Sequence, residues 1–185
     1  MSYQSVRTAL VDAAYDWQRR EFMSAFDPAA PTVIIVPGGM GSQLDRTVKV
    51  YRDGGDLPFG DFATVWAGFG LLFGGEADSL RMNAAGEDFK RRIVVPNGPI
   101  RWKPIYSPYD QAKRYFRDAG FNCFIFGYDW RRSVLGNAAY LDAFLRSLAR
   151  EADALRGNAE GLPRTTLLAH SLGGVVVATY LHRFR

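Results

Sequence analysis

The segment Ala169-His170-Ser171-Leu172-Gly173-Gly174 places a serine between an apolar run, Thr165 to Ala169, and a second apolar run that begins at Leu172. The first run has the pattern of a strand and the second that of a helix. A serine on such a sharp strand-to-helix turn presents its hydroxyl as a nucleophile, and the chemistry it suits is acyl transfer through an acyl-enzyme. The turn forces a strained backbone on the nucleophile, so the residues two positions either side must be small for strand and helix to approach. Ala169 and Gly173 meet that need. The helix that opens there also turns its unbonded N–H groups and positive dipole end toward the site, which favours a developing oxyanion. A serine that merely caps a helix would not require small residues on both sides.

An oxyanion hole needs a second donor from a loop after a neighbouring strand. Gly38-Gly39-Met40-Gly41-Ser42 follows the β-branched run Thr32-Val33-Ile34-Ile35-Val36 and is such a loop. Its glycines let a main-chain N–H approach a substrate with no side chain in the way. Two rival readings of the loop fail on spacing. A phosphate-binding loop needs a Lys that is not there, and a dinucleotide fingerprint counted from Gly39 meets Leu44 where its third glycine belongs.

The same chemistry needs a base for the serine proton, and only 14 residues follow Ser171. The two histidines are His170 and His182. His170 is adjacent to the nucleophile, with its side chain expected to point away from the serine and to pack structurally. His182 lies eleven residues along the helix, roughly 16 Å away at about 1.5 Å per residue, whereas a base must lie within about 3 Å. Neither is expected to complete a triad. Asp129 falls at the end of another strand, and the expectation for it is structural, an ion pair with Arg131 that fixes the loop.

The elements that must position these groups alternate. An amphipathic helix spans residues 5 to 26, with Ala9, Leu10, Ala13, Trp17 and Phe22 near one face. The run at 32 to 36 is apolar without alternation, as in a parallel strand buried on both faces. From about Val50 to Tyr106 the chain is irregular and rich in Gly, Pro and aromatics, with short pieces at Phe62 to Leu72 and Arg92 to Val95. A helix at Tyr109 to Ala119, ended by Gly120, a strand at Asn122 to Phe126, a helix at Asn137 to Arg156, a strand at Thr165 to Ala169 and a helix from Leu172 to about Arg183 follow. This order predicts a parallel sheet with helices on its faces and a site at the carboxyl ends of the strands.

Composition narrows the function classes. The 185 residues are 48% hydrophobic and 14% aromatic, enough for a core in one domain. The net charge of +4 is scattered and resembles no nucleic-acid motif, although it suits contact with anionic lipid. The single cysteine, Cys123, and two histidines imply no metal or organic cofactor. No signal-peptide pattern and no apolar run long enough to span a bilayer are read from the sequence, so a cytoplasmic location is expected.

Three blocks, V-P-G-G-M-G-S-Q-L at 36 to 44, Y-D-W-R at 128 to 131 and A-H-S-L-G-G at 169 to 174, in this order and spacing, resemble the lecithin:cholesterol acyltransferase-like family. The resemblance runs from about Pro31 to the end. It implies an α/β-hydrolase fold, an acyl-enzyme mechanism, and lipid esters, phospholipids above all, as acyl donors to water or an alcohol. It assigns Ser171 as nucleophile and the main-chain N–H groups of Gly39 and Leu172 as the oxyanion hole. It also makes the segment at about 50 to 106 a lid with a membrane-contacting element. The aromatic stretch Phe59, Phe62, Trp66, Phe69, Leu71, Leu72 and Phe73 falls there, to pack over an acyl-chain groove and touch a lipid surface, or else as ordinary core.

In the family order the strand at 32 to 36 lies between those at 122 to 126 and 165 to 169, and the strands that should follow are absent. Thr165 to Ala169 is then an open apolar edge, which makes self-association plausible. The expectation is thus an N-terminal helical segment (1–30) and the N-terminal part of an α/β-hydrolase domain (31–185), incomplete at its C-terminus. Such a chain is a serine acyl hydrolase or O-acyltransferase truncated before its catalytic acid and His. The alternative is a non-catalytic remnant that binds lipid or a partner.

Overall fold

The computed structural model describes residues 2–50, 52, 62–66, 76–100, 108–157, 162 and 164–185. In chain order the elements are α1 (Tyr3–Met23), β1 (Thr32–Val36), β2 (Ser42–Thr47), β3 (Phe62–Trp66), short 3-10 turns at Glu76–Leu80 and Phe89–Arg91, β4 (Val94–Pro99), α2 (Pro108–Asp118), β5 (Asn122–Ile125), α3 (Val134–Arg156), β6 (Thr165–Ala169) and α4 (Leu172–Phe184). They form a mixed α/β structure with two three-stranded sheets. One is parallel in the order β5-β1-β6, and the other is antiparallel in the order β3-β2-β4.

The parallel sheet follows from the residues of β1, all five of which are buried. Side chains alternate between the two faces of a strand. Ile34 and Val36 join Phe124 and Phe126 in a core completed by Val6, Leu10, Tyr15 and Phe22 of α1, Leu141, Phe144 and Leu148 of α3, and Val176 and Tyr180 of α4. Val33 and Ile35 face the other way with Cys123 and Ile125, and Tyr109, Ala112 and Phe116 of α2 cover them. A central strand apolar on both faces thus receives helices on both, and β1 lies between β5 and β6 in register, as expected. Gly120, at φ +83, ends the α2 turn in a conformation that L side chains rarely adopt.

Three expectations need correction. The buried stripe of α1 is Tyr3, Val6, Leu10, Val11, Tyr15, Gln18 and Phe22, while Trp17 is 49% exposed. Gln18 takes the inward position because its amide bonds both main-chain polar groups of one residue: Nε2 donates to Gly127 O at 3.2 Å and Oε1 accepts from Gly127 N–H at 2.9 Å. A buried amide satisfied in this way costs little. Secondly, the chain after the glycine loop is more regular than expected, since Ser42 already opens β2 and the antiparallel sheet joins β2 to β3 and β4. Thirdly, α3 begins three residues earlier than expected, where Ser133 caps it by accepting from Gly136 N–H at 3.1 Å.

Strand β6 has only β1 as a neighbour among the described residues, and Leu168 on it is 41% exposed. On the following helix, Val175 and Leu181 are 52% and 54% exposed. No helix among the described residues is long and apolar enough to cross a membrane.

Candidate active site

Ser171 stands at the carboxyl end of β6, with φ 51° and ψ −122°. For a residue with a Cβ this is a sparsely populated region that costs on the order of 1–3 kcal/mol and persists only where its surroundings impose it. Gly173 shows the imposing contact. A Cβ built on it would lie 2.3 Å from Val36 O and 2.4 Å from Pro37 O, both backbone atoms. The helix can therefore start this close to the end of β1 only because residue 173 has no side chain. Ser171 occupies the N-cap position of α4, yet its hydroxyl makes no capping hydrogen bond. It is exposed, free of the role that would have explained it away.

The glycine loop lies against this turn. A Cβ on Gly38 would be 2.9 Å from His170 Nδ1 and 3.1 Å from Ser171 Cβ, and one on Gly39 would be 3.5 Å from Leu172 Cδ2. The loop is a tight turn in which Gly41 N–H donates to Gly38 O at 3.0 Å and Met40 has φ +63°. Four side chains from three other segments tie it down. Tyr128 Oη donates to Pro37 O at 2.8 Å, Trp66 Nε1 to Met40 O at 2.7 Å and Trp130 Nε1 to Ser42 O at 3.3 Å, while Tyr109 Oη accepts from Gly38 N–H at 3.1 Å. Trp66 and Trp130 meet edge to face at 5.6 Å. Among the described residues no acceptor is bonded to the N–H of Gly39 or of Leu172. Two neighbouring segments thus each bring an unbonded main-chain donor beside an exposed, strained serine. Such an arrangement can stabilise the negative charge that develops on an acyl oxygen when a hydroxyl adds to the carbonyl carbon.

The other residues singled out in the sequence have other partners or stand in solvent. His170 is exposed, and its Nδ1 is 3.0 Å from Tyr109 Oη, so it is engaged with α2. His182 is exposed near the end of α4. Among the described residues no imidazole or carboxylate is hydrogen-bonded to Ser171 Oγ.

Asp129 is 3% exposed and belongs to a buried ion cluster. Arg131 contacts both Asp129, at 2.7 Å, and Asp88, at 2.9 Å; Arg132 contacts the same two, and Tyr3 Oη donates to Asp88 at 2.8 Å. Burial alone would push the Asp129 carboxyl up, but hydrogen bonds and charge from Arg131, with Arg132 and Arg7 behind it, outweigh that and hold it below the usual carboxylate range. The structural reading of Asp129 and Arg131 therefore holds, with Asp88 as a partner that the sequence did not disclose.

Of the aromatic stretch, Phe62 is 41% exposed and Trp66 is half-buried with its indole N–H on the loop. Phe59, Phe69, Leu71, Leu72 and Phe73 lie outside the described residues. Sequence reasoning missed Tyr109, Tyr128, Trp66 and Trp130 as supports of the loop. The Y-D-W-R block held two of them in plain sight, read there only for its Asp and Arg. Groups of His, Cys, Asp or Glu able to hold a metal ion do not occur among the described residues. The chain matches no protein-family model and no curated protein.

Proposed function

We propose that this chain carries the nucleophile and oxyanion hole of a serine acyl hydrolase or O-acyltransferase of the α/β-hydrolase type, acting on lipid acyl esters. Ser171 adds to the ester carbonyl, and the main-chain N–H groups of Gly39 and Leu172 receive the charge that develops on its oxygen. The observation that carries the reading is the backbone of Ser171, held at φ 51°, ψ −122° with a hydroxyl that caps nothing. A non-glycine residue is kept in such a conformation where the strain serves a purpose, and presenting a nucleophile is the purpose this turn suits. Lipid rather than soluble esters is favoured by the apolar groups exposed around the loop and the sheet that follows it, Met40 at 48%, Val48 at 46%, Val50 at 45% and Phe62 at 41%. Full turnover also needs a general base and an acid that orients it, and this reading assigns neither to a residue.

The test is covalent labelling by an alkyl fluorophosphonate, followed by intact mass. Saturable addition of one phosphonyl group, lost in Ser171→Ala, is the expected result. Labelling no faster than that of free serine would refute an activated nucleophile. A second reading, lipid or partner binding without catalysis, is favoured by the exposed edge of β6 and by Val175 and Leu181 beside it. It predicts unlabelled Ser171 together with concentration-dependent mass in sedimentation.

A further inference from the structure

We propose that Tyr109 and His170 form a clamp that fixes the 38–41 loop in register with the Ser171 turn, with Tyr109 as the positioning residue for the oxyanion donor at Gly39. The proposal rests on the acyl-transfer reading of Ser171 and adds two residues to it.

Three elements meet at one phenolic oxygen. Tyr109 projects from the first turn of α2, Gly38 opens the loop after β1, and His170 closes β6 one residue before the nucleophile. Tyr109 Oη accepts from Gly38 N–H at 3.1 Å and lies 3.0 Å from His170 Nδ1. A phenol has one proton to donate. Gly38 N–H uses one lone pair of that oxygen, and in the clamp the tyrosine O–H points at His170 Nδ1, which puts the imidazole's proton on Nε2. That direction is part of the proposal, and it makes His170 an anchor for the tyrosine and not a base.

The consequence falls on the next peptide. Because Tyr109 takes the N–H of Gly38, the next donor along the loop with no acceptor among the described residues is that of Gly39. There is little room for the loop to shift. A Cβ on Gly41 would stand 2.8 Å from Tyr109 Oη, and one on Gly38 would stand 2.9 Å from His170 Nδ1. Further along, Gly41 O accepts from Ile100 N–H at 2.9 Å and Met40 O from Trp66 Nε1 at 2.7 Å. Those bonds fix the far side of the turn to the antiparallel sheet. On its near side, among the described residues, the Tyr109–His170 contact joins the loop itself to the segment that carries the serine, next to the backbone bond from His170 N–H to Val36 O at 3.0 Å.

Tyr109→Phe removes one oxygen and keeps the ring that packs on β1 and β5. We expect the limiting rate of phosphonylation at saturating fluorophosphonate to fall about tenfold, short of the 10²–10³ seen when an oxyanion donor is deleted outright. The half-saturating concentration should stay unchanged, a split that a general loosening of the fold would not give. His170→Leu should reproduce the loss, and the double variant should be no slower than either single one, since residues in one hydrogen-bonded chain are not additive. In parallel, ¹⁵N NMR of the wild type should show His170 as the Nε2–H tautomer, and Tyr109→Phe should shift the Gly38 amide. A wild-type His170 carrying its proton on Nδ1, or a Gly38 amide that does not move in Tyr109→Phe, overturns the clamp. So do additive losses in the double variant. If wild-type Ser171 is not labelled but the NMR signature is present, the acyl-transfer reading fails and the clamp reduces to a structural tie. Labelling without the signature sinks the clamp alone.

Discussion

Two adjacent glycines give a sharp test of whether the start of α4 is wedged against β1. Residues 173 and 174 both lie in the first turn of the helix, and in an ordinary helix each Gly→Ala change would stabilise by up to about 1 kcal/mol. At Gly174 a Cβ meets nothing within 4 Å, so that gain should appear. At Gly173 the Cβ would sit 2.3 Å from Val36 O and 2.4 Å from Pro37 O. A carbon-to-carbonyl-oxygen contact normally lies at about 3.3 Å, so helix and strand must part by roughly 1 Å. Neither atom belongs to a side chain that could swing aside. Overpacking of this kind costs about 1–3 kcal/mol in a core. The two variants should therefore differ by about 2–4 kcal/mol once the propensity gain at Gly174 is included. Equilibrium urea unfolding followed by circular dichroism measures this, as a midpoint shift of about 1–2 M for a slope near 2 kcal/mol/M. The labelling rate of Ser171 should drop about a hundredfold in Gly173→Ala, the scale of a 1 Å misplacement, and stay level in Gly174→Ala. Equal midpoints for the two variants would refute the wedge and, with it, the account of why Ser171 is strained.

Other perturbations test separate parts of the molecule. Asp129→Asn leaves Arg131 and Arg132 short of a buried partner and should cost about 3–5 kcal/mol near neutral pH, read by urea unfolding. Because the folded-state carboxyl is depressed, its contribution is present above the ordinary value of about 3.9 and fades as pH falls through the lower folded value, so wild type and variant should converge in acid. Cys123 is fully buried and burial pushes its thiol up to about 11. It should therefore resist Ellman's reagent in the native protein at pH 8 and react at once in 8 M urea, concentrations chosen on the order of usual practice. Met40→Ser with Phe62→Ser should reduce cosedimentation with anionic phosphatidylglycerol vesicles several-fold while leaving the melting temperature level, since both side chains are more than 40% exposed.

The parallel sheet and the turn at Ser171 were legible in the sequence because each rests on local signals. Thr32–Val36, Asn122–Ile125 and Thr165–Ala169 are short apolar runs bounded by Pro, Gly or polar residues, and small residues flank the serine. Strand β2 was hidden because Ser-Gln-Leu-Asp-Arg-Thr is polar and short of β-branched residues, and its partner β4 begins some fifty residues later. Long-range polar pairing leaves no periodic trace. The face of α1 was misjudged at Trp17 for the same reason, since the residue that displaces it is Gln18, buried through its bonds to Gly127. Asp88 is the clearest omission. Nothing around it in the sequence sets it apart, and only the fold brings Tyr3, Arg131 and Arg132 to it.

The placing of β1 at the centre of the parallel sheet has a consequence for how the chain is made. Its partners are Asn122–Ile125 and Thr165–Ala169, so about 90 and about 130 residues separate the pairs. At a synthesis rate of about 5–20 residues per second, a strand apolar on both faces waits on the order of ten seconds for its second neighbour. Strands β2, β3 and β4 can pair well before then, and they leave β1 exposed to chaperones or to other nascent chains. The contact that strains Ser171 needs β1, β6 and the start of α4 together, so it is among the last to form. A ribosome-bound chain stalled before residue 165 should bind a chaperone and lack the Ser171 turn altogether, however complete its antiparallel sheet.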